Sequence, residues 1–375
     1  MTSKITPKAA IAFTKAITAL CFTWPLPKSA SKFQVIRFKI LRFLLCINST
    51  ILAVPVAYTL YLNDYDLPRL TKLWCLLAAF IQVPLETTQC ALQYDRLQYL
   101  ISEMEHNIEC AEPYEKILYQ RYVDKCVIFY ASATASVFFG AVLTIIAPFI
   151  EANHIFPSDA KYPFEVEHEP VKLIIYLHQF VVVWQCFSTV CLCSFVGLLI
   201  WFAAARFEIL SQQFRMITDL YGMIVCIRQH MKLIRYTQEI INALRSVILS
   251  IIIICTWVIL ACGLTIVSKS TLADKIQFFS LCIAGLLEVY ACVWPADHLI
   301  DMSTSVAQGV YESLWYNQDK IFQKNLLFVS KRSQIPIVAS VSSILPVLSL
   351  EFYASYVSTA FSYLMTMRIV FVEDN

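Results

Sequence analysis

Glycine and charge are both scarce in this 375-residue chain. Its six glycines (Gly140, Gly197, Gly222, Gly263, Gly285 and Gly309) are never within twenty residues of one another. No glycine-rich loop can therefore wrap a phosphate, which excludes nucleotide sites of that kind. Charged residues make up 15% of the chain and hydrophobic ones 58%, whereas ordinary soluble domains carry about 25% charged residues. Mean hydropathy is +0.63. This balance argues against a soluble globular protein and for one membrane domain. The net charge of +2 supplies no bulk attraction to nucleic acid.

Catalytic patterns are also missing. The six histidines are scattered and neither HExxH nor GxSxG occurs, so metal-assisted or serine hydrolysis has no support. Cys191-x-Cys193 reads as helix packing and Glu167-His168-Glu169 as a solvated loop. No catalytic residue, metal or cofactor is expected.

What the chain does have is long apolar runs. A membrane-spanning helix needs about 20 apolar residues at about 1.5 Å rise each. Seven segments qualify: S1 Phe43–Leu62, S2 Leu73–Tyr94, S3 Cys126–Ile150, S4 Leu173–Ala205, S5 Ser246–Ser268, S6 Ile276–Ala296 and S7 Ser333–Met367. S4 exceeds a bilayer's apolar thickness and should tilt and project beyond it. S7 is also too long and holds Pro336 and Pro346 in its first half. It is read as a buried cytosolic helix followed by a spanning helix at about 350–371.

Of the 29 Lys and Arg, 22 fall on the N-terminal side by parity, eight of them in residues 1–42, which hold no acid. The positive-inside rule then puts the N-terminus in the cytoplasm and the C-terminus outside. Cysteine usage agrees: none of the 14 lies in an expected outer segment, so no external disulfide framework is available. Residues 1–42 read as a retained leader, because Lys15 interrupts the apolar stretch a signal peptide needs. At 100° per residue Ile5, Ala9, Ala12, Phe13, Ala16, Ile17 and Leu20 share one face, opposite Lys4, Lys8 and Lys15. This is the pattern of a helix lying on an anionic membrane surface.

Glu86, Glu288 and Glu351 interrupt spans, and carboxylates there are costly enough to be functional candidates, although structural roles remain open. Asp95-Arg96 and Cys292-Val293-Trp294-Pro295 resemble fragments of rhodopsin-like receptors, but they sit in the wrong spans or register and read as chance matches.

Apolar and aromatic stripes in the outer halves of four spans are more informative. They comprise Trp74, Leu77, Phe80 and Ile81 of S2; Phe138, Phe139, Val142 and Ile145 of S3; Tyr176, Phe180, Val183 and Trp184 of S4; and Phe278, Phe279 and Cys282 of S6. Helical spacing turns many of them inward, and an apolar cavity with few polar groups suits a small uncharged organic ligand. Plain packing or lipid exposure is the alternative for each. In S7, Ser358, Ser362, Thr366 and Val370 recur every four residues, beside Ser355 and Thr359. Such a stripe either packs helices or lines a hydrated pore, with Glu373 and Asp374 at its outer mouth concentrating cations.

Several strings resemble the insect odorant receptor family. Tyr162-Pro163-Phe164-Glu165 is similar to its YPFD, and Tyr176-Leu177-His178-Gln179 to its YLHQ. Val310-Tyr311-Glu312-Ser313-Leu314-Trp315-Tyr316, Lys331-Arg332-Ser333-Gln334-Ile335-Pro336, Leu348-Ser349-Leu350-Glu351-Phe352 and Phe361-Ser362-Tyr363-Leu364 resemble its C-terminal patterns. Departures are Glu165 for Asp, Leu314 for Asn, and the extension Phe371–Asn375 past the family's common end. The gustatory signature TYhhhhhQF is met only at Ser362-Tyr363, with Ile369 at the Gln position.

The resemblance implies an all-α, seven-helix plasma-membrane protein: a subunit of a ligand-gated, nonselective cation channel forming a heterotetramer with the co-receptor Orco. It implies a pocket for a small volatile or hydrocarbon-like ligand among S2, S3, S4 and S6. A cytosolic anchor would include about 206–245 and 297–335, within a channel domain spanning 43–375. Thr366 and Val370 would be gate positions. The competing expectations are a gustatory-type channel and a pore-less receptor signalling through a G protein.

Overall fold

In a computed structural model, residues 5–62, 66–150, 155–158, 160–166, 168–340 and 346–373 are described. The described chain is helical: α1 Pro7–Ile17, α2 Lys32–Tyr61, α3 Leu67–Leu92, α4 Tyr94–Glu109, α5 Pro113–Ile150, α6 Val171–Val190, α7 Leu192–Arg215, α8 Leu220–Val267, α9 Leu272–Tyr311, α10 Lys320–Ser333 and α11 Leu350–Glu373. Short polar side chains start them where the sequence breaks its apolar runs. Ser31 and Gln34 form a capping box on α2, Asp219 caps α8, Thr271 caps α9 and Asp319 caps α10. Each oxygen satisfies an amide left bare in the first turn.

Among the described residues, six stretches are long and apolar enough to cross a membrane: α2, α3, α5, α6 together with α7, α8 and α9. α11 has 24 residues but is not among them, because its hydroxyl stripe and Arg368 dilute its apolar character. α8 has 48 residues, about 72 Å of helix at about 1.5 Å per residue. It therefore runs well past any apolar layer, carrying its charged first half (Arg228, Lys232 and Arg235) with it.

The main core surrounds α7, which packs against α9, α8 and α5. From Leu192 to Ser211 every α7 residue is buried except Leu198, Arg206 and Glu208. A helix apolar on all sides has to be enclosed on all sides. At Gly309 the α7 and α9 backbones meet so closely that an added Cβ would collide with the Ser211 carbonyl oxygen. The Ser211 hydroxyl donates to Ser305 O at 2.9 Å beside this contact. Farther out, Lys232 of α8 donates to Glu103 of α4. Partial burial raises the Glu103 carboxyl, but the Lys232 ammonium and the Asn107 amide outweigh it and hold the group below the ordinary carboxylate value.

Three expectations are corrected: the unbroken S4, the helical first part of S7 and the end of the leader at residue 42. S4 is not one helix: it breaks at Cys191 between α6 and α7. Near the break the Thr189 hydroxyl and the Cys21 thiol both donate to the Gln185 carbonyl, and such back-bonding bends helices. The first part of S7 is not a buried helix either. α10 ends at Ser333, and residues 334–340 and 346–349 precede α11 without helical structure; Pro336 and Pro346 cannot donate the bonds a helix there would need. The S2–S3 connection contains a helix of its own, α4.

The leader's helix forms, and most of the face expected on a membrane surface is left free of contact with the rest of the chain. Ile11, Thr14 and Ile17 turn into the protein, while Ile5, Ala9, Ala12, Phe13, Ala16 and Leu20 of the expected apolar face stay exposed. Residues 32–42, read as leader, are the first turns of α2.

Gly309→Ala should lower the thermal midpoint of the detergent-solubilised chain, through an overpacking cost of about 1–3 kcal/mol. An unchanged midpoint would mean that α7 and α9 separate without cost.

Candidate functional site

The outer stripes fall into three neighbouring packing groups. Phe138 of α5 meets Trp184 of α6 with ring centroids 5.5 Å apart, and Phe139, Phe180 and Phe187 extend this aromatic patch. Val183 packs beside it. Val142 is half-buried on the same helix, and the buried Ile145 accepts through its carbonyl from Tyr176 Oη at 3.1 Å. Leu77 and Phe80 of α3 pack instead with Leu52 and Val56 of α2 and Val182 of α6. Phe278 and Cys282 of α9 pack on Ile259 and Cys262 of α8. Trp74 meets Trp257 of α8 at 5.7 Å. Ile81, Phe139 and Phe279 are exposed. None of the fifteen lines either of the two cavities described in this chain.

Polar side chains that the apolar pattern concealed fix these helices. Gln179 of α6 is fully buried; its carbonyl accepts from Ser158 N at 2.9 Å and its amide donates to Tyr162 Oη at 3.1 Å. The YLHQ-like segment thereby holds the YPF-like segment. One residue earlier, His178 Nε2 lies 2.9 Å from the Asn48 carbonyl of α2. Asn48 Nδ2 donates to Gln185 Oε1 at 2.9 Å, and Gln185 Nε2 donates to Leu45 O at 2.9 Å. Asn48, which opens the Asn48-Ser49-Thr50 glycosylation pattern, is thus occupied inside the bundle.

A second polar cluster joins α3, α8 and α9. Gln82 Nε2 donates to Glu86 Oε1 at 2.9 Å and lies 3.4 Å from Glu288 Oε1, while the Cys255 thiol donates to Glu288 Oε2 at 3.5 Å. Two of the three flagged carboxylates therefore share one amide. Gln82 stands four residues before Glu86, on the same helix face, and that spacing was the available signal for it. Among the described residues, no group of three or more His, Cys, Asp or Glu could hold a metal ion.

Among its described side chains, residues 350–369, the last helix contributes no buried residue. Phe352, Tyr353, Tyr356, Ala360, Leu364 and Met367 are half-buried, whereas Ser355, Ser358, Thr359, Ser362 and Thr366 are exposed. The hydroxyl stripe thus faces away from this chain's own bundle. Thr359 and Thr366 donate to the carbonyls of Ser355 and Ser362. Tyr353 Oη donates to Leu286 O of α9 at 3.1 Å, and Tyr356 Oη lies 2.9 Å from Thr256 Oγ1 of α8. Val370 and Glu373 lie in the final turns of α11; Asp374 lies outside the described residues.

A sequence profile of the family described as 7tm Odorant receptor matches residues 71–361. Odorant receptor Or2 of Anopheles gambiae is 25% identical over 100 residues, covering 27% of this chain and 26% of its own. Odorant receptor 67a of Drosophila melanogaster is 32% identical over 89 residues, covering 24% and 22% respectively. The matched stretches thus span about a quarter of the length of these curated relatives. The solved insect olfactory receptor OR5 of Machilis hrabei, in complex with eugenol, has the same fold, with TM-score 0.80 at 14% identity over 98% of this chain and 100% of that one.

Gln82→Leu would strip the shared donor from two carboxyls in an apolar setting, where an unmet polar group costs about 1–3 kcal/mol or more. Folded yield and thermal midpoint should both fall, and less so in Gln82→Glu,Glu86→Gln, which returns an amide to the pair. Equal behaviour of Gln82→Leu and the parent chain would remove the cluster's structural importance.

Proposed function

The chain belongs to the 7tm odorant receptor family, and on that footing we propose that it is the odour-sensing subunit of a ligand-gated, nonselective cation channel assembled with the co-receptor Orco. As a member of that family it is a multi-pass plasma-membrane receptor and not an enzyme. In the proposed arrangement seven helices cross the membrane, α11 being the seventh, with the N-terminus cytoplasmic and the C-terminus outside. The placement of 22 of the 29 Lys and Arg on one side supports that orientation.

The observation that carries the channel reading is the exposed hydroxyl face of α11. Ser358, Ser362 and Thr366 point away from the helices that hold α11 in place. Hydrocarbon would leave their remaining lone pairs unmet, at a cost that water or a partner helix removes. In a heterotetramer with Orco those faces would meet around a hydrated path, with Thr366 and Val370 at its narrow part and Glu373 and Asp374 at the mouth.

The proposed ligand is a small neutral volatile or hydrocarbon-like molecule. Its site is built on the Phe138–Trp184 patch, with Val142, Ile145, Tyr176, Phe180 and Val183 around it, and reaches toward α3 and α9. A ligand can shift the channel only through its greater affinity for the open arrangement. The connection to the pore is short: Cys282 and Leu286 are one turn apart on α9, and Leu286 O holds Tyr353 of α11. A shift of α9 at the ligand end therefore pulls on the start of the pore helix.

In cells expressing this chain with Orco, an odorant panel should evoke a cation current that cells with Orco alone do not show. Silence despite surface expression, together with an N-terminal tag reached by antibody on intact cells, would overturn the channel reading. Tyr353→Phe should move the half-maximal ligand concentration by about threefold to tenfold, the worth of one hydrogen bond. Trp184→Ala should weaken potency while preserving assembly. Thr366→Leu should change ion permeation; identical currents would place the conduction path on the partner subunits.

A further inference from the structure

The turn between α1 and α2 encloses, with the first turns of α2, a cavity of about 410 Å³. It shares no residue with the Phe138–Trp184 patch. Its shape is built in. Phe22 stands in the left-handed region at φ 51°, a conformation that a bulky side chain keeps only where its surroundings hold it, and its ring meets Phe38 of α2 edge-on at 5.1 Å. Leu26 N donates to Tyr94 Oη at 3.2 Å and Gln98 Nε2 donates to Leu26 O at 2.7 Å, so α4 holds the turn from behind. Trp24, buried in the wall, packs against Phe195 of α7 at 5.4 Å.

Charge and position identify the occupant. Two cations line the cavity, Lys15 of α1 and Arg37 of α2, and no acid does. Among the described residues neither side chain has an ion pair, a hydrogen bond or a ring contact, whereas Lys8, two turns before Lys15, pairs with Glu109 at 3.3 Å. No acid is near them in sequence, since the first in the chain is Asp64. One turn beyond Phe38, Arg42 is 8% exposed and likewise meets no carboxylate among the described residues; its guanidinium lies 5.4 Å from the Phe38 ring centroid and 5.8 Å from that of Tyr94. Two unpaired cations in the lining and a third behind its aromatic wall set up a positive potential that an anion would relieve. The remaining wall is mostly apolar, with Trp24, Pro25, Phe38 and Leu41. On α2 the lining runs from Gln34 to Leu41 and stops where the uncharged run from Phe43 begins. That boundary is the level of lipid phosphates and glycerol esters.

We propose that this cavity binds the phosphomonoester headgroup of a membrane lipid, its phosphate oxygens accepting from the Lys15 ammonium and the Arg37 guanidinium while its glycerol esters rest on Trp24, Pro25 and Leu41. A phosphomonoester carries about −1.5 to −2 charges near pH 7, which two cations match, and hydrogen bonds between such ions are the strong ones. The apolar wall gives a free phosphate ion nothing to bind and so favours the lipid. Held this way, the lipid bridges α1 to α2 and fastens the leader to the bundle. This inference does not depend on the odour-sensing channel reading.

The test is native mass spectrometry of the full-length chain in a neutral detergent, with dioleoyl phosphatidic acid, dioleoyl phosphatidylcholine and glycerol phosphate as probes at matched concentrations. The ratio of bound to free chain should be about tenfold higher for phosphatidic acid than for phosphatidylcholine. Equal ratios would overturn the proposal. Glycerol phosphate, which has the head without the acyl chains, should bind far more weakly; binding as strong as that of phosphatidic acid would assign the site to a soluble phosphomonoester and overturn the lipid part. Lys15→Gln,Arg37→Gln should cut the phosphatidic acid ratio about tenfold. Lys32→Gln,Lys39→Gln removes the same charge from exposed positions outside the cavity and should leave the ratio within about twofold of the parent's. Equal losses in the two pairs would mean diffuse attraction to a basic leader and would sink the site. Ala19→Trp fills the cavity from an exposed position without altering charge and should also lower the ratio. It decides the matter if the first pair fails to fold, an unchanged ratio then overturning the placement.

Discussion

Everything else in the molecule is arranged around the enclosure of α7. Its sequence from Leu192 to Ser211 offers no polar face to solvent or lipid, so α5, α8 and α9 must surround it. The only way for α9 to come close enough is to do without a side chain at Gly309, opposite the Ser211 carbonyl. Gly197 has the corresponding role toward α5, since a Cβ there would strike the Tyr130 ring whose hydroxyl reaches Ala291 of α9. Two glycines thus let two helices, α9 and α5, close on α7, and the length of α8 and α9 carries the bundle out of the apolar layer. A bundle locked at that end leaves its other end freer to rearrange.

At the other end packing is looser and hydrogen bonds assume more of the work. The Asn48–Gln185, Gln179–Tyr162 and Gln82–Glu86–Glu288 contacts each tie two or more elements with side-chain amides. Amides are well suited to this, because they give and accept without the desolvation cost of a charge. A fully satisfied polar pair in an apolar setting also fixes register, since any slip leaves both partners unmet. The aromatic patch of Phe138, Trp184 and Phe187 packs between α5 and α6.

The helices were broadly legible in the sequence because a membrane solvent leaves hydropathy little ambiguity: the spanning helix expected at about 350–371 is observed as Leu350–Glu373, although α2 and α8 begin well before the apolar runs that marked them. Reading the stretch ahead of α11 as a helix gave hydropathy precedence over Pro336, which the structure reverses. The break at Cys191 was not legible, because it depends on Thr189 and on a Cys21 thiol arriving from 164 residues away. The leader was half legible. Its helix follows from local pattern, but which face is buried depends on α5 and α7, and periodicity cannot distinguish a protein surface from a lipid one. The candidate ligand residues show the same division. Adjacent positions such as Phe138 and Phe139 have one pattern and two environments, one ring turned to Trp184 and the other largely exposed.

The most consequential reading concerns α11, where weak hydropathy is itself the signal. A helix whose half-buried residues, Tyr353, Tyr356, Ala360, Leu364 and Met367, recur at three- and four-residue spacing has one face committed to its own chain. The opposite face then carries Ser355, Ser358, Thr359, Ser362 and Thr366 with no partner in that chain except the helix backbone. Lipid would tolerate a few such hydroxyls bonded back to carbonyls, but it would not favour a continuous row of them on a helix that two tyrosine hydroxyls, the Leu350 amide on Asp297 and a shallow packing face hold to its own chain. A weakly anchored, mildly polar helix with its row turned outward is what a moving pore lining requires: enough contact with α8 and α9 to be pulled, and too little to be fixed. In the proposed channel Tyr353 would supply the pull, and the helix, which buries none of its residues among those described, would follow it.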